Sequence, residues 1–250
     1  MAQSEQQGSD APTLQSQLII NLRDISDDMV KAWQGAFKGE KYKNVKISEG
    51  DIFKGGPEAD AIVSPANSFG FMDGGIDLAY SLHFGWQMQE RLQEYLRKHY
   101  DGELPMGCAV IIPAYSDQLD LSTLSLDNDV NGGKPIKYLV SAPTMRVPLD
   151  VSDTVNAYLA FRCILREVLA HNATAAERKV PPINSILCPG LGTAVGCMPH
   201  EKAAMQMRIA YDAIILRTET HVLHPEHLYN CMHHHSKMVK GSDSDSEDDQ

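Results

Sequence analysis

Two short stretches of this 250-residue sequence combine glycine with polar residues in a pattern that suits anion chemistry. The first, residues 61–77, reads AIVSPANSFGFMDGGID: an apolar strand, a Pro-Ala-Asn turn, a glycine-bearing loop, and a helix predicted to start near Asp77. Glycine lets a backbone approach a phosphate closely, and the first turn of a helix presents N–H groups that have no intrahelical partner. Gly70, Gly74 and Gly75 fit neither a phosphate loop ending in Gly-Lys-Ser/Thr nor a regular Gly-x-Gly-x-x-Gly. The second stretch, CPGLGTAVGC at 188–197, sets Gly190, Gly192 and Gly196 behind another apolar run. Two such loops at strand ends suit a ligand with two phosphates, because open α/β sheets bind ligands beyond the carboxyl ends of their strands. Glu49-Gly50-Asp51-Ile52 follows a third strand and sets the Asp51 carboxylate at the same edge.

Asp77 has two compatible roles, the cap of the following helix and a base or water-positioning group, since a helix N-terminus favours a carboxylate. Asp73 reads as a solvated turn residue. Cys188 and Cys197 flank the second loop with His200 nearby in sequence, which leaves a Cys-His nucleophile as a minor alternative. The segment 221–235, HVLHPEHLYNCMHHH, holds six of the ten histidines and Cys231. Those are zinc-ligand types, but His221, His224 and His227 are split by Pro225 and match no ligand spacing, so a surface extension is the expectation and no metal is assigned.

The elements that must position these groups are legible as alternating apolar runs. Strands are expected at 17–22, 44–48, 61–64, 108–112, 137–142 and 184–188, several continuously apolar as in a sheet covered on both faces. Helices are expected at 26–38 with Ser26 as cap, at 86–99, at 153–171 with Asp153 as cap, and at 199–216. The alternation predicts a three-layer α/β/α sandwich with a mixed sheet of about six strands, and residues 116–135 read as a long polar loop between two strands. Residues 1–16 and 241–250 are polar tails too poor in apolar residues to pack; 17–217 form the domain and 218–240 a His-rich extension.

Composition narrows the partners. With 22 basic against 33 acidic residues the net charge is -11, and no basic cluster marks a nucleic-acid surface. No run approaches the roughly 18 to 20 apolar residues of a membrane span. Five cysteines without framework spacing fit a reducing cytoplasm or nucleus, and a monomer is expected. Ser242, Ser244 and Ser246 each have an acid three residues on, a pattern suited to phosphorylation by acidophilic kinases.

Residues about 44 to 217 resemble a macro domain, the ADP-ribose-binding family. The resemblance rests on order as well as content: Gly50-Asp51-Ile52 after an early strand, then Ser64-Pro65-Ala66-Asn67 where the family carries Asn-Ala-Ala-Asn, then Gly74-Gly75 and Ile76-Asp77. It implies that Asp51, with Ile52 beside it, accepts a hydrogen bond from the adenine amino group. Asn67 would meet the distal ribose, Gly74, Gly75, Ile76 and Asp77 would hug a phosphate, and Gly190, Leu191, Gly192, Thr193, Ala194, Val195 and Gly196 would wrap the diphosphate. The ten-residue spacing of Asn67 and Asp77 equals that of the hydrolytic branch, so the resemblance implies hydrolysis of an ADP-ribosyl ester or O-acetyl-ADP-ribose, with Asn67 and Asp77 catalytic and no cofactor. Two other uses of the same pocket stay open, a non-catalytic reader of ADP-ribosylated proteins and a phosphatase acting on ADP-ribose 1''-phosphate. Departures from the pattern are Ser64 for asparagine, Met72 and Asp73 for glycines, and a second loop without its aromatic, which Phe69 or Phe71 could supply from the first loop.

Overall fold

The computed structural model of the protein describes residues 18–241, except 66, 117 and 125. The two polar tails, and with them Ser242, Ser244 and Ser246, lie outside the described residues. Six strands form one sheet: β1 Ile19–Asp24, β2 Val45–Glu49, β3 Ala61–Ser64, β4 Val110–Pro113, β5 Tyr138–Ser141 and β6 Ser185–Cys188. Their order is β2-β1-β6-β3-β5-β4. All neighbours run parallel except β4, which is antiparallel to β5. Five strands therefore deliver their carboxyl ends to one edge, at Asp24, Glu49, Ser64, Ser141 and Cys188.

Side-chain alternation along the strands splits the core into two layers. Ile20, Leu22, Val63, Val140 and Ile186 face α1 (Asp27–Ala36), α4 (Asn156–Arg178) and α5 (His200–Tyr211). Ile62, Leu139, Leu187, Val110 and Ile112 face α2 (Gly75–Phe84) and α3 (Gln87–Tyr100), meeting Tyr80, Phe84, Met88 and Leu92. A sheet buried on both faces explains the continuous apolar runs and gives the expected three-layer mixed α/β fold.

Local chemistry sets the helix ends. Ser26 caps α1 as expected, its Oγ accepting from the Met29 N–H at 3.3 Å. Asp153 does not cap α4; the helix starts at Asn156 behind Val155, and Asp153 lies out in solvent 3.9 Å from Lys202 Nζ. Nor does Asp77 cap α2. Gly74 is the cap residue, without a side chain to offer, and Asp77 sits in the first turn with its carboxylate directed back to the sheet. The 116–135 loop is as expected, with single helical turns at Leu121–Thr123 and Asn131–Gly133.

The histidine-rich segment is more ordered than its sequence suggests. A short α6 (Thr220–Leu223) leads to α7 (Leu228–Lys240), whose Met238 enters the core beside α5. His227 accepts at the start of α7 as its cap, and His234 is buried with its ring edge-on to Tyr158. Burial pushes the His234 pKa down to about 4, so the ring is neutral at physiological pH. Among the described residues no group of three or more His, Cys, Asp or Glu side chains is arranged to hold a metal ion.

Candidate functional site

The strand edge brings together three segments that are far apart in sequence. The first loop leaves β3 at Ser64 and is braced at its base: Thr144 Oγ1 donates to the Pro65 carbonyl at 2.9 Å, Ser68 N–H to Arg146 O at 3.1 Å, and Asn67 forms a bridge with Met145. Asn67 then shapes the loop from inside. Its Oδ1 accepts from the Phe69 and Phe71 N–H groups at 3.1 and 3.2 Å, and its Nδ2 donates to Phe71 O at 2.9 Å. With both lone-pair directions of Oδ1 used, one Nδ2 proton is left for a ligand. Met72 is fully buried, and its N–H and carbonyl are held by Gln89 and Ser81, which anchors the loop where glycine was expected.

Beyond Met72 the backbone opens. The N–H groups of Asp73, Gly74, Gly75, Ile76 and Asp77 find no acceptor among the described residues, as the first turn of a helix requires. A Cβ added at Gly74 or Gly75 would meet nothing within 4 Å. Gly75 has φ +56°, a left-handed conformation that favours glycine. Donors, empty space and the positive end of α2 thus coincide, which is what an anion cradle needs.

Asp77 lies one step further along the same turn. It is only 7% exposed, and its Oδ1 accepts the Ser64 hydroxyl at 2.6 Å across the gap from β3 to α2. Oδ2 has no partner among the described residues. Burial raises its pKa to about 7, partly opposed by the Ser64 hydrogen bond, so this carboxyl exchanges its proton near neutral pH. That is the range in which a carboxyl works as a general base or acid. Sequence reasoning named Ser64 only as a departure from the family pattern; the structure makes it the direct partner of Asp77.

The second loop differs in how its glycines are used. A Cβ at Gly190 would sit 2.6 Å from Thr193 Oγ1 and 2.9 Å from Asp24 Oδ2, and one at Gly196 would run into the Gly192 carbonyl oxygen. Met198 N–H closes the loop onto that same carbonyl at 3.0 Å, and the Gly190 N–H goes to Asp24 Oδ2 at 3.0 Å. The backbone N–H groups of 191–196 find no acceptor among the described residues; Leu191, Gly192 and Gly196 are buried, while Ala194 and Val195 are exposed. Cys188, fully buried at the end of β6, has its thiol pushed far up by burial and is unfit as a nucleophile at neutral pH.

The third segment carries Asp51, and a buried arginine holds it. Arg23, 7% exposed on β1, donates through Nε to Asp51 O at 2.7 Å, through Nη1 to Ser48 Oγ at 3.0 Å and through Nη2 to Lys54 O at 3.1 Å. The turn 51–54 is closed by Asp51 Oδ1, which accepts from the Phe53 and Lys54 N–H groups, both at 2.9 Å. Those two donors hold the Asp51 carboxyl below the usual range and leave Oδ2 outward; Ile52 is buried beneath it. An arginine in an early strand was not singled out from the sequence. Its strand also carries Asn21 and Asp24, so the charge by itself marked nothing out.

Of the aromatic candidates, Phe71 is 52% exposed at the mouth of the first loop, while Phe69 lies under the Arg146 guanidinium, 5.1 Å from the ring centroid. Two surface grooves, of about 310 and 290 Å³, lie elsewhere, around Tyr115 and Leu119 and around Arg162 and Arg217. Neither contains a residue of the strand-end constellation, so chemistry rather than volume marks the site.

Comparison with known proteins shows the family. The model of the family described as "Macro-like domain" matches residues 25–229. An uncharacterised protein of Aquifex aeolicus (strain VF5) is 29% identical over 164 residues, covering 66% of this chain and 78% of that protein. One from Aeropyrum pernix is 31% identical over 171 residues, 68% and 71% of the two chains. Among solved structures, the macrodomain of Mycobacterium tuberculosis DarG superposes with TM-score 0.45 at 19% identity, over 66% of this chain and 88% of that one. The Oceanobacillus iheyensis macrodomain with ADP gives TM-score 0.42 at 18% identity, over 70% and 88%.

Proposed function

The chain belongs to the macro-like domain family, and we propose that its strand-end crevice binds ADP-ribose or an ADP-ribosyl group and hydrolyses the bond at the distal ribose. The observation that carries this is the coincidence, within one turn at the head of α2, of unpaired N–H groups over open glycines with a buried carboxyl that titrates near pH 7. In this reading the amides from Gly74 to Asp77 hold one phosphate and those from Leu191 to Gly196 the other. Asp51 Oδ2 takes the adenine amino group, and the remaining Nδ2 proton of Asn67 meets a ribose hydroxyl.

Hydrolysis then needs a water at the anomeric carbon. Asp77 Oδ2 accepts a proton from that water as its oxygen bonds to the carbon, and the ester carboxylate leaves with the bonding electron pair; for an acetyl group on a ribose hydroxyl the water oxygen bonds instead to the acetyl carbonyl carbon, and acetic acid is released as the ribose oxygen leaves with the electron pair and takes a proton. The loop amides, already oriented, hold the diphosphate and offset charge that develops beside it. The chain needs no redox step for this, and no metal is invoked.

A non-catalytic reader is the second proposal, favoured by one observation: Asp77 is almost closed off from solvent. One panel separates the two. Calorimetry should show ADP-ribose binding near micromolar, about -8 kcal/mol. Incubation with Glu/Asp-linked and Ser-linked ADP-ribosyl peptides, O-acetyl-ADP-ribose and ADP-ribose 1''-phosphate should release product from the ester or O-acetyl substrates first. Binding without turnover on any of them assigns the reader, and no heat at millimolar ADP-ribose overturns both.

A further inference from the structure

We propose that Ser64 is the positioning residue of Asp77: its buried hydroxyl, donating across from the end of β3, fixes which carboxyl oxygen faces the reaction and holds that carboxyl ready to ionise. The inference rests on the reading of Asp77 as the water-activating group. Ser64 is fully buried and 13 residues from Asp77 in sequence, and the 2.6 Å contact is the only polar contact to the Asp77 carboxylate among the described residues.

The surroundings leave the task to Ser64 alone. Tyr80, one turn on along α2, spends its hydroxyl on the Val63 carbonyl at 2.9 Å. Besides Asp77, the ionisable groups that act on Tyr80 are Cys188 at the end of β6 and Asp24 at the end of β1, and neither is a cation. Burial of Asp77 disfavours its charge and the Ser64 hydroxyl favours it. A buried carboxylate with no cation beside it depends on its hydrogen-bond donor for the charged form. The same contact fixes geometry: once Oδ1 is taken, Oδ2 is the one oxygen left to receive a proton from water.

Removing the donor therefore has a signature that packing loss does not share. In Ser64→Ala the titration midpoint of Asp77, followed through its carboxyl carbon by NMR in the ligand-free protein, should move upward by about one to two pH units, the tenfold to hundredfold worth of a charge-assisted hydrogen bond. The acid limb of the turnover profile should move with it, and Ser64→Thr, which keeps a hydroxyl, should restore both. An unchanged midpoint in Ser64→Ala overturns the inference, as does a Ser64→Thr variant that titrates like the alanine. If Thr is too large for the buried site to fold, exchange of the Ser64 hydroxyl proton in the wild type decides: slow exchange above pH 7 supports the contact and fast exchange overturns it. The NMR titration needs no turnover, so a protein that proves to be a reader can still confirm or refute the pairing.

Discussion

The two glycine loops look alike in sequence and differ in what their glycines are for. At Gly74 and Gly75 the absent side chain leaves open space over unpaired N–H groups; at Gly190 and Gly196 it leaves room for the protein's own atoms, Thr193, Asp24 and the Gly192 carbonyl. The first loop is thus shaped for something from outside, with a titrating carboxyl in the same turn. The second is a wall whose glycine positions are filled by the protein itself, with unpaired N–H groups along 191–196 and an exposed tip at Ala194 and Val195. A count of glycines behind a strand does not separate a cradle from a wall. The atoms a Cβ would meet do.

The comparison breaks most visibly at Gly75. Gly75→Glu should fold, since its side chain enters open space and the left-handed backbone costs only about 1–2 kcal/mol. Its carboxylate would occupy the anion position, so calorimetry at millimolar ADP-ribose should show no binding and turnover should vanish; retained binding would place the phosphate elsewhere. Asp77→Ala tests the chemistry of the same loop. Turnover should fall by about 10² to 10⁴ while ADP-ribose affinity changes far less, because backbone amides are left in place. Should turnover survive while Gly75→Glu removes it, Asp77 is not the base.

Asp51 lies on neither loop and calibrates both. Asp51→Ala should weaken ADP-ribose by about tenfold or more, as loss of a hydrogen bond to a charged group costs roughly 1.5 to 3 kcal/mol, and it should do so with kcat nearly unchanged. The smallest effect sharpens the contrast directly. Gly196→Ala forces a methyl onto a backbone carbonyl and to 2.7 Å from Val151 Cγ2, at a cost of about 1–3 kcal/mol and several degrees in Tm. Gly74→Ala should stay within about 0.5 kcal/mol. Equal melting temperatures for the two would erase the distinction between wall and cradle.

Much of the fold was legible because burial on two faces writes itself as apolar runs. Every expected strand is present with its ends within two residues, and α5 with its π-helical continuation Asp212–Leu216 ends where the pattern ends. Asp51, Asn67 and Asp77 were legible as polar residues at strand ends next to glycine. What they do locally was not. Asp77 reads as a cap in sequence because capping residues are common before helices, yet Gly74 takes that position and the carboxylate turns inward to a serine 13 residues back. Asn67 could be named but not seen to be spent on its own loop. Arg23 was invisible as an organiser because its three acceptors, on β2 and in the turn after it, lie 25 to 31 residues away. The histidine-rich segment reads as a surface extension, whereas the chain starts a helix at Leu228 and buries His234 and Met238 from it.

Asp24 gives the two loops different mechanical standing. One of its carboxylate oxygens receives the Ser26 N–H at 2.9 Å, just before α1, and the other the Gly190 N–H at 3.0 Å. Pulling the second loop outward therefore loosens the entry to α1 as well, so displacement there is stiff and shared between two elements. The first loop is tied to itself, to the 144–146 strip and, through Met72, to Gln89 and Ser81, whereas its donors from Asp73 to Gly75 carry no such bolt. Adjustment to the proposed ligand is therefore expected at 73–75, where no hydrogen bond is broken, rather than at Gly190.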